Sequence, residues 1–390
     1  MGCRWSAAPL REFLSYIGKG IAPKYTEADS ATSIAVLGQK CIRNYSVDYK
    51  QARLHDETRR AIKPEKFVQP GDILVNATGV GSAGRVAQVI EEPNRRYITD
   101  GHVITLRAKG IDPYYLGYFV KSKQSSIETM AEGSTGQTEM NKDRLQDEVV
   151  VTYPLEPEIQ RTIARFGISI DKTIALNARA NGYLGELCET IASHQTGISA
   201  KLCDLCSQVS DKIPCTEAVI ESYVSTESLL ENKGGRQVAS SLPTTGKVTE
   251  YKAGDTLVSN IRPYFKKIWF ADQEGTCSGD VIVFRALEAQ NAPYVYSILR
   301  TSSFFDWVML GSKGTKMPRG DKKQMMNYPV SLSCKETNLE LLSSAAKQIN
   351  SNERQNGRLS ELRDTLLPKL MSGEIDVSEV EAPTPPNSHL

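Results

Sequence analysis

A weak internal duplication runs along almost the whole of the 390-residue chain. The segment PGDILV, which ends at Val75, matches AGDTLV, which ends at Val258, and GHVITLRA from Gly101 matches GDVIVFRA from Gly279. Further matched pairs are LREFLSYIGKGIAP from Leu10 with LCDLCSQVSDKIP from Leu202, GSTG from Gly133 with GSKG from Gly311, and NGYLGEL from Asn181 with NGRLSEL from Asn356. Similarity of this kind predicts two copies of one folding unit, in which loop lengths vary while the framework persists.

Each copy has a strand-rich region followed by a long helix. The segments DILVNAT, RVAQVI and HVITLRA of the first copy are rich in β-branched residues and are separated by Gly, Pro and Asn clusters, which predicts short strands. Helical segments are predicted at matching places, PYYLGYFVKS from Pro113 and APYVYSILRTS from Ala292. The predicted fold class is therefore α+β.

Two long helices follow these regions and carry a heptad-like pattern. In the first, from Pro157, apolar or small residues recur at alternating spacings of four and three, at Ile159, Ile163, Phe166, Ile170, Ala180, Leu184, Leu187 and Ile191. In the second, the equivalent positions are Leu341, Ala345, Leu359, Leu362 and Leu366, and Pro368 is expected to end the helix. This spacing is typical of a coiled coil, so the two helices are predicted to pack on each other.

Asn177 and Asn352 occupy equivalent positions in this pattern. A polar asparagine at such a position can fix the register and the partner of a helix pair, and both residues are predicted to do so here. The alternative is that both side chains face solvent.

The predicted domains follow from the duplication. The first globular domain covers residues 1–153, the first helix 154–193, the second globular domain 194–332 and the second helix 333–372. Residues 373–390 contain four acids, no Lys or Arg and several prolines, so this tail is predicted to be disordered.

Composition limits the class of protein but does not identify it. With 40% hydrophobic residues, 390 residues can form two or three domains. No signal-peptide or membrane-span pattern is found in the sequence, and the eight cysteines are scattered, so a soluble, cytoplasmic protein is expected. The pair Cys203 and Cys206 has no second metal-binding pair at zinc-finger distance, which favours a structural role over a metal or redox site.

Two short motifs suggest catalysis but are better explained by local structure. GVGSAG, from Gly79 to Gly84, has the GxGxxG spacing, but the strand-like RVAQVI follows it, so a hairpin turn is favoured over a nucleotide site. NAPY, from Asn291 to Tyr294, differs from the NPPY-like motif of amino-methyltransferases and falls in a predicted helix. No catalytic site, metal site or cofactor is therefore predicted.

The helix segments carry a family resemblance. YPLEPEIQRTIARFGISIDKTI from Tyr153 and LRDTLLPKLMSGEI from Leu362 resemble the long helices of specificity subunits of type I restriction-modification enzymes, and the similarity in organisation covers nearly the full length. The resemblance implies two target-recognition domains that each read half of a bipartite, gapped DNA target. It also implies that the two helices form an antiparallel coiled coil, which acts as a spacer and docks two methyltransferase subunits and, through them, restriction subunits. S-adenosylmethionine and ATP-driven cleavage would belong to those partners, so this chain would be non-catalytic and would need no cofactor.

Helix length supports the spacer role. A helix of roughly 35 residues is about 50 Å long, so a domain at either end could reach DNA more than one helical turn from the other.

Candidate DNA contacts lie in glycine-containing loops that carry basic or amide side chains. The net charge of the chain is only +1, but the stretch from Lys247 to Lys323 contains twelve basic and eight acidic residues. Base edges and phosphates are contacted by such side chains. In the first domain the candidates are Asn76, Thr78, Arg85, Ser134, Thr135, Gln137 and Lys142; in the second they are Arg262, Tyr264, Lys266, Lys267, Lys313, Lys316, Arg319, Lys322 and Lys323.

One alternative function remains open. The chain could be a scaffold, such as an orphan paralogue that assembles modification or defence subunits without reading DNA.

Overall fold

The structure is a computed structural model that describes residues 4–131, 139–195, 197–314 and 316–377. The chain divides into two compact units. Unit 1 comprises Met1–Lys172 with Ser360–Leu390, and unit 2 comprises Thr173–Leu359. The domain boundaries given above remain a prediction. Residues 378–390 of the predicted disordered tail lie outside the described residues.

Unit 1 is built mainly of short strands, with three short helices and one end of each long helix. Its strands are β1 (Trp5–Pro9), β2 (Leu14–Lys19), β3 (Tyr25–Thr26), β4 (Ser33–Leu37), β5 (Ile42–Arg43), β6 (Ser46–Val47), β7 (Arg53–Asp56), β8 (Ile73–Asn76), β9 (Val86–Gln88), β10 (Tyr97–Thr99), β11 (Val103–Ala108) and β12 (Val150–Pro154). Its helices are α1 (Pro113–Ser122), α2 (Gln124–Thr129), α3 (Lys142–Glu148) and the first part of α4 (Pro157–Ser193).

Unit 2 repeats this plan. Its strands are β13 (Ser199–Lys201), β14 (Cys206–Gln208), β15 (Lys212–Pro214), β16 (Tyr223–Val224), β17 (Lys247–Tyr251), β18 (Thr256–Ser259), β19 (Ile268–Phe270), β20 (Gly275–Cys277), β21 (Val281–Ala286) and β22 (Pro329–Ser331). Its helices are α5 (Ala292–Arg300), α6 (Ser302–Leu310), α7 (Lys322–Met326), the second part of α4 and the larger part of α8 (Glu336–Ser372).

The central sheets of the two units have the same topology. In unit 1 the antiparallel order is β2-β11-β8-β9, and in unit 2 it is β14-β21-β18-β19. Each unit has a second four-stranded sheet with one parallel pair, β10 with β4 in unit 1 and β16 with β20 in unit 2. The predicted α+β class is confirmed, and the predicted strands and helices lie where the repeated motifs place them.

An arginine-aspartate pair holds the start of β8 and its counterpart β18. Arg107 donates from Nε and Nη2 to the two carboxylate oxygens of Asp72, both at 2.8 Å. Arg285 does the same to Asp255 at 2.8 and 2.6 Å. Arg107 and Arg285 are the arginines of the matched segments GHVITLRA and GDVIVFRA. Asp72 and Asp255 are the aspartates of the matched segments PGDILV and AGDTLV. The most similar segments of the duplication thus form a two-point hydrogen-bonded pair, the strongest geometry for this contact.

The long helices pack onto the domain of each unit as well as onto each other. In unit 1, Ile163 of α4 and Leu370 of α8 belong to one core with Tyr115 of α1. In unit 2, Cys188 of α4 and Leu342 of α8 belong to one core with the aromatic residues of α5 and α6. Burial of apolar side chains against these domains accounts for much of the helical periodicity.

The prediction that three leucines lie in the seam between the helices is wrong. Leu187, Leu341 and Leu362 are 37%, 45% and 44% exposed, whereas the neighbours Cys188 and Leu342 are fully buried. Each helix must bury two faces, one against its domain and one against the other helix, and a single heptad pattern does not separate them. Pro368 also does not end the second helix, because α8 continues to Ser372 with Leu370 and Met371 buried in the core of unit 1.

Four asparagines link α4 and α8 within unit 2. The Asn177 amide donates to Asn356 Oδ1 at 2.9 Å, and the Asn352 amide donates to Asn181 Oδ1 at 2.7 Å. The helices therefore run in opposite directions at this point, and neither Asn177 nor Asn352 simply faces solvent. Their role in fixing register, and the coiled coil as such, remain predictions.

The two discounted motifs have ordinary structural roles. GVGSAG forms the turn of the hairpin between β8 and β9, as predicted, because β9 pairs antiparallel with β8 directly after it. NAPY lies at the start of α5, where Tyr294 is buried. Across the described ranges, no helix combines the length and the apolar character that a bilayer crossing requires.

Candidate nucleic-acid interface

In unit 1, the predicted contact residues gather where β8 ends. Thr78 is half-buried, and its hydroxyl lies 2.9 Å from Nδ1 of the exposed His102. The Gln39 side-chain amide donates to the backbone carbonyl of Thr78. A β-bridge joins Thr78 to Glu139, whose carboxylate forms an ion pair with Lys19. That hydrogen-bonded lysine lowers the pKa of Glu139.

Two further candidates lie beside this point. Met140 donates its backbone N–H to the carbonyl of Ala77 at 2.6 Å, and Lys142 follows two residues later as the first residue of α3. Arg85 donates from Nη2 to the carbonyl of Gly81 at 2.7 Å, so its guanidinium is partly engaged in its own turn. We call Thr78, Arg85, His102, Glu139 and Lys142 the first loop edge. Ser134, Thr135 and Gln137 lie outside the described residues.

Asn76 does not have the exposure that a DNA contact requires. Its side chain is fully buried, and its amide nitrogen lies 3.3 Å from the carbonyl of Gln39, to which it donates. The predicted contact is therefore wrong for this conformation, because Asn76 is the last residue of β8 and its side chain faces inward.

In unit 2, two segments meet at the equivalent place. Residues Pro263–Phe265 form a single 3-10 turn, with left-handed backbone at Arg262 and at Lys266. The Arg262 N–H donates to the Pro318 carbonyl at 2.8 Å, which ties this turn to the glycine-containing loop. Within that loop, Lys313 and Arg319 exchange two backbone hydrogen bonds of 3.0 Å.

Most of the basic side chains of these two segments are exposed. Seven exposed residues of these segments and of the start of α7 are called the second loop edge: Arg262, Tyr264, Lys313, Lys316, Arg319, Lys322 and Lys323. Arg319 lies 3.2 Å from Asp280, and Lys313 lies 4.0 Å from Asp321. Exposed pairs of this kind are worth little, so both cations can exchange their carboxylate for a phosphate at low cost.

Lys266 and Lys267 differ from the rest of the predicted set. Lys267 donates to the carbonyl of Thr226 at 2.7 Å, and burial lowers its pKa. Lys266 donates to the Ser302 hydroxyl at 3.1 Å. These two lysines brace the segment, and they would have to leave these partners to contact a phosphate.

The two edges are built in the same way. The bridge of Thr78 with Glu139 in unit 1 is repeated by the bridge of Ile261 with Arg319 in unit 2. Ala77 donates its N–H to the carbonyl of His102 at 2.7 Å, and Asn260 donates to that of Asp280 at 2.8 Å. The duplicated sheet thus ends, in each unit, in loops joined by the same backbone hydrogen bonds.

Sequence reasoning missed several residues that belong to these edges or contact them. They are Lys19, Gln39, His102 and Glu139 in unit 1 and Asp280 in unit 2. A signal was present for two of them: His102 and Asp280 occupy the same place in GHVITLRA and GDVIVFRA, and at that place the two copies differ in chemistry.

Comparison with known proteins gives a family match for part of the chain. The family described as "Type I restriction modification DNA specificity domain" matches residues 49–183. The specificity subunit of the type I restriction enzyme EcoDI from Escherichia coli is 22% identical over 130 residues, which is 33% of this chain and 29% of that subunit. The match therefore spans less than a third of that relative's length. Residues 49–183 of this chain are thus similar to the type I specificity domain.

The fold is similar to that of a solved specificity subunit. The S subunit of a type I restriction-modification system from M. genitalium matches with a TM-score of 0.51 at 14% identity, over 94% of this chain and 96% of that chain. The HsdS subunit from Thermoanaerobacter tengcongensis gives a TM-score of 0.36 at 14% identity, over 95% of this chain and 97% of that chain. The predicted resemblance to type I specificity subunits is confirmed.

The matched specificity domain includes the whole of the first loop edge. Thr78, Arg85, His102, Glu139 and Lys142 all lie within residues 49–183, as does the part of α4 that carries the motif used for the resemblance.

Proposed function

We propose that this chain is the DNA sequence-specificity subunit of a type I restriction-modification complex. Each recognition domain reads one half of a bipartite, gapped DNA target, through the first loop edge in one domain and the second loop edge in the other. The observation that carries the proposal is the repeated edge: two sheets of the same topology end in loops joined by the same backbone bonds, and both loops carry Lys or Arg.

The chemistry of the second edge suits DNA. Its exposed lysines and arginines can neutralise phosphates, and Arg262 beside exposed Tyr264 can hydrogen-bond to or stack on bases. Phosphate contacts supply affinity, whereas contacts to base edges supply specificity. The first edge is less basic and offers a hydroxyl, an imidazole and a carboxylate, so the two domains are expected to read different half-sites.

The partners belong to the same proposal. We propose that α4 and α8 dock the methyltransferase subunits, which hold S-adenosylmethionine, and that restriction subunits join through them. The specificity subunit is proposed to be non-catalytic and to work in the cytoplasm.

Selection from random duplexes tests the DNA-reading role. The purified full chain is mixed with random double-stranded DNA, and the retained duplexes are sequenced. Enrichment of two short motifs at a fixed gap supports the specificity subunit. If no duplex is retained, either by the chain or by its complex with the modification subunits, the scaffold alternative is supported.

A further inference from the structure

Left-handed backbone conformations are concentrated in two loops of unit 2. Among the residues that the structure describes, six other than glycine have a positive φ, and four of them are Asn232 (55°), Lys233 (62°), Arg262 (49°) and Lys266 (51°). Such conformations cost on the order of 1–3 kcal/mol each and persist only where the surroundings hold them. The contacts that hold these loops therefore indicate what fixes their shape.

The two loops are hydrogen-bonded to each other. The N–H of Asn232 donates to the carbonyl of Phe265 at 2.8 Å, and the N–H of Lys233 donates to the carbonyl of Lys266 at 2.9 Å. The second loop is the segment Arg262–Lys267, which carries Arg262 and Tyr264 of the second loop edge. A change in the backbone at Lys233 would therefore be transmitted to this segment.

Lys233 is held in turn by the long helix α4. Its ammonium lies 2.6 Å from Oε1 of Glu189, and Nε of Arg300 lies 3.3 Å from the same oxygen. Arg300 also donates from Nη1 to the backbone carbonyl of Lys233 at 3.3 Å. The three charged side chains are 13%, 23% and 9% exposed for Lys233, Glu189 and Arg300. The Glu189 carboxylate thus helps to balance the charge of two largely buried cations, one of which, Arg300, also interacts with Glu353.

This balance is sensitive to loss of the carboxylate. Burial lowers the pKa of Lys233, and the hydrogen bond to Glu189 opposes that effect. Removing one partner of a buried ion pair leaves an uncompensated charge, which is far more costly than losing an exposed pair. Without Glu189, Lys233 is expected to move toward solvent and to take its backbone with it.

We propose that Glu189 is a positioning residue for DNA binding. Through Lys233 it holds the Asn232–Lys233 loop against Phe265 and Lys266, and so fixes the segment that presents Arg262 and Tyr264. The inference rests on the proposed function, because the proposed function assigns DNA contacts to the Arg262–Lys267 segment. Glu189 itself belongs to α4, and its ion-pair partners Lys233 and Arg300 are not residues of the second loop edge.

The variant Glu189→Gln in the full chain tests this, with the exposed Glu186→Gln on the same helix as control. Hydrogen exchange without DNA is measured at the amides of Asn232 and Lys233, which should exchange at least ten-fold faster in Glu189→Gln and unchanged in the control. Affinity for the selected duplex should fall about ten-fold, while affinity for a random duplex at the same salt concentration stays within two-fold. A merely structural lesion would lower both affinities together.

A double-mutant cycle with Arg262→Ala completes the test. If Glu189 acts through the Arg262–Lys267 segment, Glu189→Gln should cost little further affinity once Arg262 is alanine. Unchanged amide exchange, or an equal loss of affinity in both backgrounds, would overturn the proposal. If Glu189→Gln does not fold, Lys233→Met removes the same ion pair and carries the same expectations.

Failure of the proposed function would look different. If the wild-type chain retained no duplex, the DNA role of the segment would be refuted, while the exchange rates at Asn232 and Lys233 would still report whether Glu189 holds the loop.

Discussion

Asn352 on α8 donates a 2.7 Å hydrogen bond to the side-chain oxygen of Asn181 on α4. The bond from Asn177 to Asn356 repeats it with the helices exchanged. The repetition extends to the backbone, since the Asn181 amide donates to the Ile349 carbonyl and the Asn356 amide donates to the Ile174 carbonyl. The matched segments NGYLGEL and NGRLSEL therefore meet across the helix pair with local two-fold symmetry.

Asn352→Ala should destabilise the helix pair. Asn352 is 6% exposed, and it accepts a hydrogen bond from Gln348 as well as donating to Asn181. Leaving these buried partners unsatisfied should lower the free energy of unfolding by about 1–3 kcal/mol, measured by urea denaturation. The neighbouring exposed Ser351→Ala serves as control and should change little.

The double variant Asn177→Leu, Asn352→Leu tests whether these two residues fix the register of the helix pair. Leucine at both positions removes the cross-helix bonds and adds apolar surface, so oligomeric state or stability should alter. Light scattering and thermal unfolding measure both. Unchanged behaviour in both measurements would argue against a register role.

Lys313, Lys316 and Arg319 should together set much of the salt dependence of DNA binding. All three are exposed on the second loop edge. If each contacts one phosphate, their joint replacement by alanine should weaken binding and reduce the slope of log K against log salt by about 2.7. Fluorescence anisotropy at several salt concentrations measures this slope. The matched control replaces three other exposed cations, Lys335, Lys347 and Arg358, with alanine. An equal reduction of the slope in this control would show that the effect comes from total charge and not from the second loop edge.

Asp255→Asn should be strongly destabilising. Asp255 is 2% exposed and receives two hydrogen bonds from Arg285 and one from the Lys252 backbone. Loss of a buried charge partner costs about 3–5 kcal/mol, and the lower end applies because Arg285 is partly exposed. The urea midpoint reports the loss, and exposed Asp211→Asn provides the comparison. A midpoint as high as that of Asp211→Asn would refute the importance of the pair.

Glu353 should make stability depend on pH. Burial raises its pKa to about 8, with Asp272 adding to the effect and Arg300 and Arg236 opposing it. Since the unfolded carboxyl titrates near 4.3, this group stabilises the folded state below that pH, and the contribution is lost as pH rises toward 8. Glu353→Gln should flatten the fall in unfolding free energy between pH 5 and 8. The control variant, the exposed Glu340→Gln, should still show this fall in unfolding free energy.

The duplicated framework could be predicted because it rests on local patterns. PGD and HVITLRA in one unit, with their counterparts in the other, combine a turn, a strand and one charged pair, and each is visible as a matched segment. The seam was predicted less well: Leu187 and Leu341 are exposed because burial against a domain and burial against a helix have the same period. Contacts between distant segments, such as those of Thr78 with His102 and Gln39, produce no periodic pattern in the sequence and so could not be predicted from it.

The loop that positions Arg262 could not be inferred from sequence at all. Left-handed backbone at Asn232, Lys233 and Lys266 falls on residues other than glycine, and Lys233 is paired with Glu189, which lies more than forty residues earlier in the chain. Asn76 is predicted as a DNA contact because it follows the GD turn, but it is the last paired residue of β8 and not the first residue of the loop.

The pairs of Arg107 with Asp72 and of Arg285 with Asp255 anchor the opposite end of the strand from the loops. Only the four residues of β8, or of β18, separate the fixed end from the variable one. Mutations that remodel a loop therefore leave the anchor intact. A lineage built on this plan could vary the loops of either unit independently and inherit the scaffold unaltered.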